Sequence, residues 1–189
     1  MTSQYLPSRD KFEDLRKHHN VVPVWTEVIA DLETPVSTYM KLVQGADPGS
    51  VSFLLESVEH GQRWGRYSFV GVDPFLVLTS YDGEVQIQGE LLGDIPEATP
   101  LETVRRILES FSVPTMPELP PLIAGGVGFL GYDVVRYLEK LPQTTVADVA
   151  TPELMLIFAR TLFVFDHLRQ RLTVVSNVVG EDTYDQAIA

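Results

Sequence analysis

Asp82-Gly83 sits between two strand-like runs, PFLVLTSY (74–81) and VQIQGE (85–90), and restricts the fold more than any other feature of the chain. An Asp-Gly pair at the centre of a four-residue turn readily takes the positive-φ conformations of a tight hairpin. The two runs are therefore expected to pair antiparallel, and the return run alternates polar and apolar residues with the period of a half-buried strand. Further strand-like runs lie on either side. VVPVWTEVIA (21–30) reads as a strand whose Pro23 suits an edge or a strand start. VSFLLESV (51–58) and RYSFVGV (66–72) precede the hairpin. ELMLIFAR (153–160) and TLFVFDH (161–167) form a strand or a strand pair, which Asp166 to Gln170 turns into RLTVVSNV (171–178).

The helices are fewer and carry their own signals. Residues 9–19 predict a short polar helix with Phe12 and Leu15 as its apolar pair at i, i+3. Thr34 and Thr99 are each followed by a proline, so each reads as an N-cap with proline at the first helical position. The first opens a helix over VSTYMKLVQG, which Gly45 closes. The second opens PLETVRRILESF (100–111), with Leu101, Val104, Ile107, Leu108 and Phe111 on one stripe and Glu102 paired with Arg106. Between 112 and 122, four prolines make a stiff extended connector. A Gly-rich strand and a short helix follow over 123–142. The final helix, opened by Asp182 or Thr183, stops at Ala189 after about two turns, which is marginal for a helix alone. The expected fold is α+β, with antiparallel β-sheets packed as a sandwich and helices at the periphery, truncated before the end of the full fold.

Composition closes off several functions. The chain has 189 residues, 44% hydrophobic and 21% charged, enough for a sizeable core. With 26 acidic against 14 basic residues the net charge is −12, and the bases are scattered, so nucleic acid is not an expected partner. No run approaches the ~20 apolar residues of a membrane span. The first nineteen residues lack the apolar core of a secretory signal. The absence of cysteine removes disulfides and thiol metal sites and suits a reducing, cytoplasmic location.

Gly126, Gly128 and Gly131 match the spacing of a dinucleotide fingerprint, but no βαβ unit surrounds them. Glycines in a strand where another backbone or ring packs closely are the better account. The four histidines, His18, His19, His60 and His167, form no chelating pattern and read as surface residues. No nucleophile elbow occurs. The informative stretch is FLLESVEHGQRWGRYSFVG (53–71). Alternation sets Phe53, Leu55 and Ser57 on one face and Leu54, Glu56 and Val58 on the other. A semi-buried Glu56 wants a cation, which Arg63 or Arg66 across the turn could supply. That pairing is either a structural salt bridge at a hairpin mouth, or part of a site holding a small zwitterion by its ammonium and carboxylate. Trp64 either packs between the strands or staples the loop so that Arg66 is aimed inward.

The ordered elements PVW, ADLETPVSTYMKL, FLLESVEHGQRWGRYSFVGVDP and GGVGFLGYDVVRYLEKLP resemble the N-terminal region of anthranilate synthase component I, from about Val22 onward. The resemblance implies a regulatory, tryptophan-binding region spanning 1–189, with the C-terminal chorismate-binding region absent. The family converts chorismate to anthranilate in tryptophan synthesis, using Mg²⁺ and ammonia from a glutamine amidotransferase subunit. The chain would then hold half of the feedback site for L-tryptophan, facing its own C-terminal region, with no catalytic or metal-binding residue of its own. On this resemblance Leu55, Glu56 and Ser57 contact tryptophan, Glu56 at the ammonium and Ser57 at the carboxylate. Arg66 lines the same pocket, flanked by Tyr67 and Ser68, and Pro35 and Val36 close over the indole. Aminodeoxychorismate synthase component I shares the fold and is the nearer alternative; a non-enzymatic binding or assembly module is the more distant one.

Overall fold

The computed structural model describes residues 4–29, 31–47, 49–57, 65–142 and 149–189. Among the described residues seven strands are joined in one antiparallel sheet: β1 (Val21–Ile29), β2 (Phe53–Glu56), β3 (Tyr67–Tyr81), β4 (Glu84–Gly89), β5 (Val127–Leu130), β6 (Leu154–Asp166) and β7 (Arg171–Val179). The described residues also form four helices: α1 (Arg9–Arg16), α2 (Pro35–Gln44), α3 (Pro100–Ser110) and α4 (Tyr184–Ile188). A 3-10 helix covers Tyr132–Tyr137.

The long strands β3 and β6 pair along their whole lengths and organise the rest. Near the start of β3 its outer neighbour is β2, and β6 there continues into β7 and β1. Towards the other end β3 carries β4 and β6 carries β5. The α+β class with antiparallel strands and peripheral helices is as expected. The two separate sheets of a sandwich are replaced by two half-sheets that share β3 and β6, because each of these strands is long enough to belong to both.

The sequence suggested a break at Asp73, but β3 runs through it. Val72 faces Thr161, Pro74 faces Ala159 and Leu76 faces Phe158, so β3 carries one residue more than β6 at this point. Asp73 has φ 49°. A bulge accommodates the missing N–H of Pro74 and reverses the alternation of β3 beyond it. Tyr67 and Phe69 before the bulge thus share a face with Leu76 and Leu78 after it, and both halves of the strand keep apolar side chains inward.

That face carries two core clusters. Phe75, Leu76, Leu78, Leu154 and Phe158 pack with Ile107 of α3 and Val134 of the 3-10 helix. The rings of Phe75, Phe111 and Phe158 lie 5.4–6.1 Å apart, within the range of favourable aromatic pairs. Trp25, Leu162, Val164 and Val175 pack under Leu119, Met116 and Ile123, so the proline-rich segment forms part of the layer covering the sheet. A third cluster joins α1 and α4 to β1 and β7 through Phe12, Val22, Val24, Val178 and Tyr184.

The cap signals hold. Thr34 accepts from the amide of Ser37 at 3.0 Å, and Ser37 Oγ accepts from the amide of Thr34 at 2.9 Å. In α3, Glu102 binds both Arg105 and Arg106, the latter at 3.0 Å as its spacing predicts. The glycine reading also holds. A Cβ on Gly128 would lie 1.9 Å from the carbonyl oxygen of Met155, and one on Gly126 2.9 Å from the Phe158 ring. Only a residue without a side chain allows β6 to approach so closely.

Candidate functional site

The hairpin mouth between β2 and β3 is built by register. Glu56 stands opposite Ser68, Leu55 opposite Phe69 and Leu54 opposite Val70. Directly opposed residues share a face of a sheet, and neighbours along a strand alternate. Glu56 and Ser68 therefore look out on one face. Leu55 and Tyr67 look out on the other, beside Phe69 and the second core cluster. Ser57 follows the end of β2 and lies against Gly65, where a Cβ would come within 2.3 Å of it.

Ser68 is 2% exposed, and its Oγ lies 2.7 Å from His167 Nε2. His167 continues the ladder beyond β6, its amide donating to the Arg66 carbonyl at 2.9 Å. It lines a cavity of about 500 Å³ together with Phe165 and Asp166, Thr34 and Pro35 at the start of α2, and Asp31, Glu33, Gln170 and Arg171. The same face of the sheet thus presents Glu56, Ser68 and Phe165 in a row across three strands, with the first turn of α2 facing it across the cavity.

Arg66 does not serve Glu56. Its Nε and Nη2 donate to Asp166 Oδ2 at 3.2 and 2.9 Å, and its guanidinium stacks over the Tyr67 ring at 4.7 Å. Asp166 Oδ1 accepts from the amides of Leu168 and Arg169, both at 3.1 Å, which closes the turn into β7. Burial pushes the Asp166 carboxyl up, but the Arg66 guanidinium and the two amides outweigh it and hold it below the usual carboxylate range. The hydrogen bond to Asp166 in turn raises Arg66.

Of the eight residues singled out from the sequence, the fold gathers Glu56, Ser68 and Pro35 on one side. It turns Leu55 and Tyr67 to the reverse face and commits Arg66 to Asp166. Glu56, expected to be semi-buried, is exposed at the end of the edge strand β2, as is Ser57 after it, and Val36 is 46% exposed on α2. Arg63 and Trp64 lie outside the described residues. His167 is exposed, as the sequence reading had it, but that reading assigned it and Asp166 only to an ordinary turn and gave them no place in a site. The signal was present in VFDH, where an acid and an imidazole follow directly on a buried apolar strand.

No family model matches the chain. Its fold matches one part of a longer solved chain: the crystal structure of anthranilate synthase component I from Streptococcus pneumoniae superposes with a TM-score of 0.53 at 18% identity, covering 85% of this chain and 33% of that one. Sequence goes further than fold. Anthranilate synthase component 1 of Acetivibrio thermocellus is 37% identical over 176 residues, 92% of this chain and 35% of the relative. The protein of the same name from Mycolicibacterium smegmatis is 40% identical over 195 residues, 96% of this chain and 36% of the relative. The chain belongs to the anthranilate synthase component I family, and it spans about a third of the length of the curated relatives it matches.

Proposed function

We propose that the chain is the N-terminal region of an anthranilate synthase component I and forms half of a feedback site for L-tryptophan. The whole subunit would make anthranilate from chorismate, with ammonia supplied by a glutamine amidotransferase subunit. Relatives matched over more than nine-tenths of the chain carry that name, which favours this reading over aminodeoxychorismate synthase component I. The observation that carries the effector site is the register of β2 on β3. It sets the acid of one recognised motif, Glu56, directly opposite the hydroxyl of another, Ser68, which is bonded to His167 in a cavity lined by His167 and Pro35.

A zwitterion fits such a place, because a carboxylate can take its ammonium while hydroxyl and imidazole groups take its carboxylate. Coupling to chorismate follows if tryptophan bridges this region and the chorismate-binding region in one relative arrangement only, since an effector shifts an equilibrium by its differential affinity for the two states. Among the described residues no three acidic or histidine side chains gather to hold a metal ion. The Mg²⁺ expected for the whole subunit belongs, on the family resemblance, to the chorismate-binding region.

The test is calorimetric titration of the chain with L-tryptophan, beside inhibition assays on a complete subunit carrying this region. Weak binding by the chain, and loss of inhibition in Glu56→Ala and Ser57→Ala, are expected. Inhibition unchanged in both variants overturns the assignment.

A further inference from the structure

The geometry points to His167 as the group that takes the carboxylate of the effector. This inference rests on the tryptophan-site reading above and adds a residue that the motif resemblance does not supply. Ser68 is buried, and its hydroxyl is bound to His167 Nε2. Ser68 therefore meets the cavity only through the imidazole, which stands in the wall.

Charge accounting selects the same residue. Arg171 in the lining is paired with Glu27, Arg66 behind the wall with Asp166, and Lys41 on α2 with Glu33. Each of these cations already faces a carboxylate. Among the described residues that line the cavity or back its wall, His167 is the basic side chain bonded to a neutral hydroxyl. The acids that line the cavity with it, Asp31 and Glu33 before α2 and Asp166 on β6, suit the ammonium of the same zwitterion. A serine hydroxyl either donates to Nε2 or accepts from it. Ser68 can thus stay bonded to His167 whichever way the ring nitrogen is used, and it holds the imidazole in place towards the cavity.

Two ligands separate the roles: L-tryptophan, and tryptamine, which has the ring and ammonium without the carboxylate. Each is titrated by NMR and calorimetry, to millimolar concentration, into the wild-type chain, His167→Gln, His167→Phe and Ser68→Ala, with thermal unfolding as the check on folding. The expected result is a loss of about tenfold or more in L-tryptophan affinity in His167→Phe, with tryptamine unchanged and partial recovery in His167→Gln. In Ser68→Ala a smaller loss is expected, and it should disappear in the His167→Phe background. Equal losses for both ligands, or a variant that binds L-tryptophan like wild type, overturn the role of His167 while the tryptophan site stands. A wild-type chain that binds neither ligand overturns both.

Discussion

Arg66 and Asp166 are a hundred positions apart, and two guanidinium nitrogens reach one carboxylate oxygen while the other oxygen ties down the turn after β6. Removing the acid leaves a cation and two amides without their acceptor. Asp166→Ala is expected to lower stability by about 2–4 kcal/mol in denaturant unfolding, more than Arg66→Ala, because Arg66 is the more exposed partner. The carboxyl lies below its ordinary value in the folded state. Its contribution is therefore complete above the unfolded value of about 3.9 and is lost as the pH falls through the folded one. The wild-type advantage over Asp166→Asn should shrink in acid.

Glu153 Oε1 accepts from Ser80 Oγ and Tyr137 Oη at 2.6 Å each and from the Gly83 amide at 2.8 Å. One carboxylate thus ties the 3-10 helix and the β3–β4 turn to the start of β6. Burial and then the bond to Glu153 push Tyr137 up to about 12. Burial alone would raise Glu153, but its three donors bring it below the usual range. Tyr137→Phe should cost about 1–2 kcal/mol near neutral pH. A raised value means that the contribution is present below the unfolded tyrosine value of about 10 and lost as the pH rises towards about 12. The difference between wild type and Tyr137→Phe should therefore narrow on alkaline titration of the unfolding midpoint.

Gly128→Ala should lower stability by about 2–3 kcal/mol, since the neighbour it meets is backbone and cannot rotate away. Hydrogen exchange of the β5 amides should quicken first. Protection equal to wild type there would show that β5 does not approach β6 as described.

Asn177 is fully buried, and its Nδ2 donates to the carbonyls of Ile123 and Ala159 at 2.9 and 3.0 Å. Asn177→Asp exchanges that double donor for an acceptor facing two acceptors. A loss of about 3 kcal/mol or more is expected at neutral pH, with partial recovery in acid as the carboxyl takes a proton.

On the proposed function, the chain alone should make no anthranilate from chorismate, Mg²⁺ and ammonia. Product followed by its fluorescence would overturn that expectation at any rate clearly above the uncatalysed background.

Local rules accounted for much of this molecule. Thr34-Pro35 and Thr99-Pro100 start helices and Asp82-Gly83 turns a hairpin, because each effect acts within a few residues of chain. The motif resemblance likewise led to the hairpin of Glu56 and Ser68. Tertiary structure alone decided that β3 passes through Asp73 unbroken, since the partner β6 supplies the pairing that absorbs Pro74. It alone decided that Arg66 answers to Asp166 instead of Glu56, and that His167 stands behind Ser68. Those contacts join residues about a hundred positions apart, and an ion pair or hydrogen bond at such separation depends on which strands become neighbours, which no local pattern encodes.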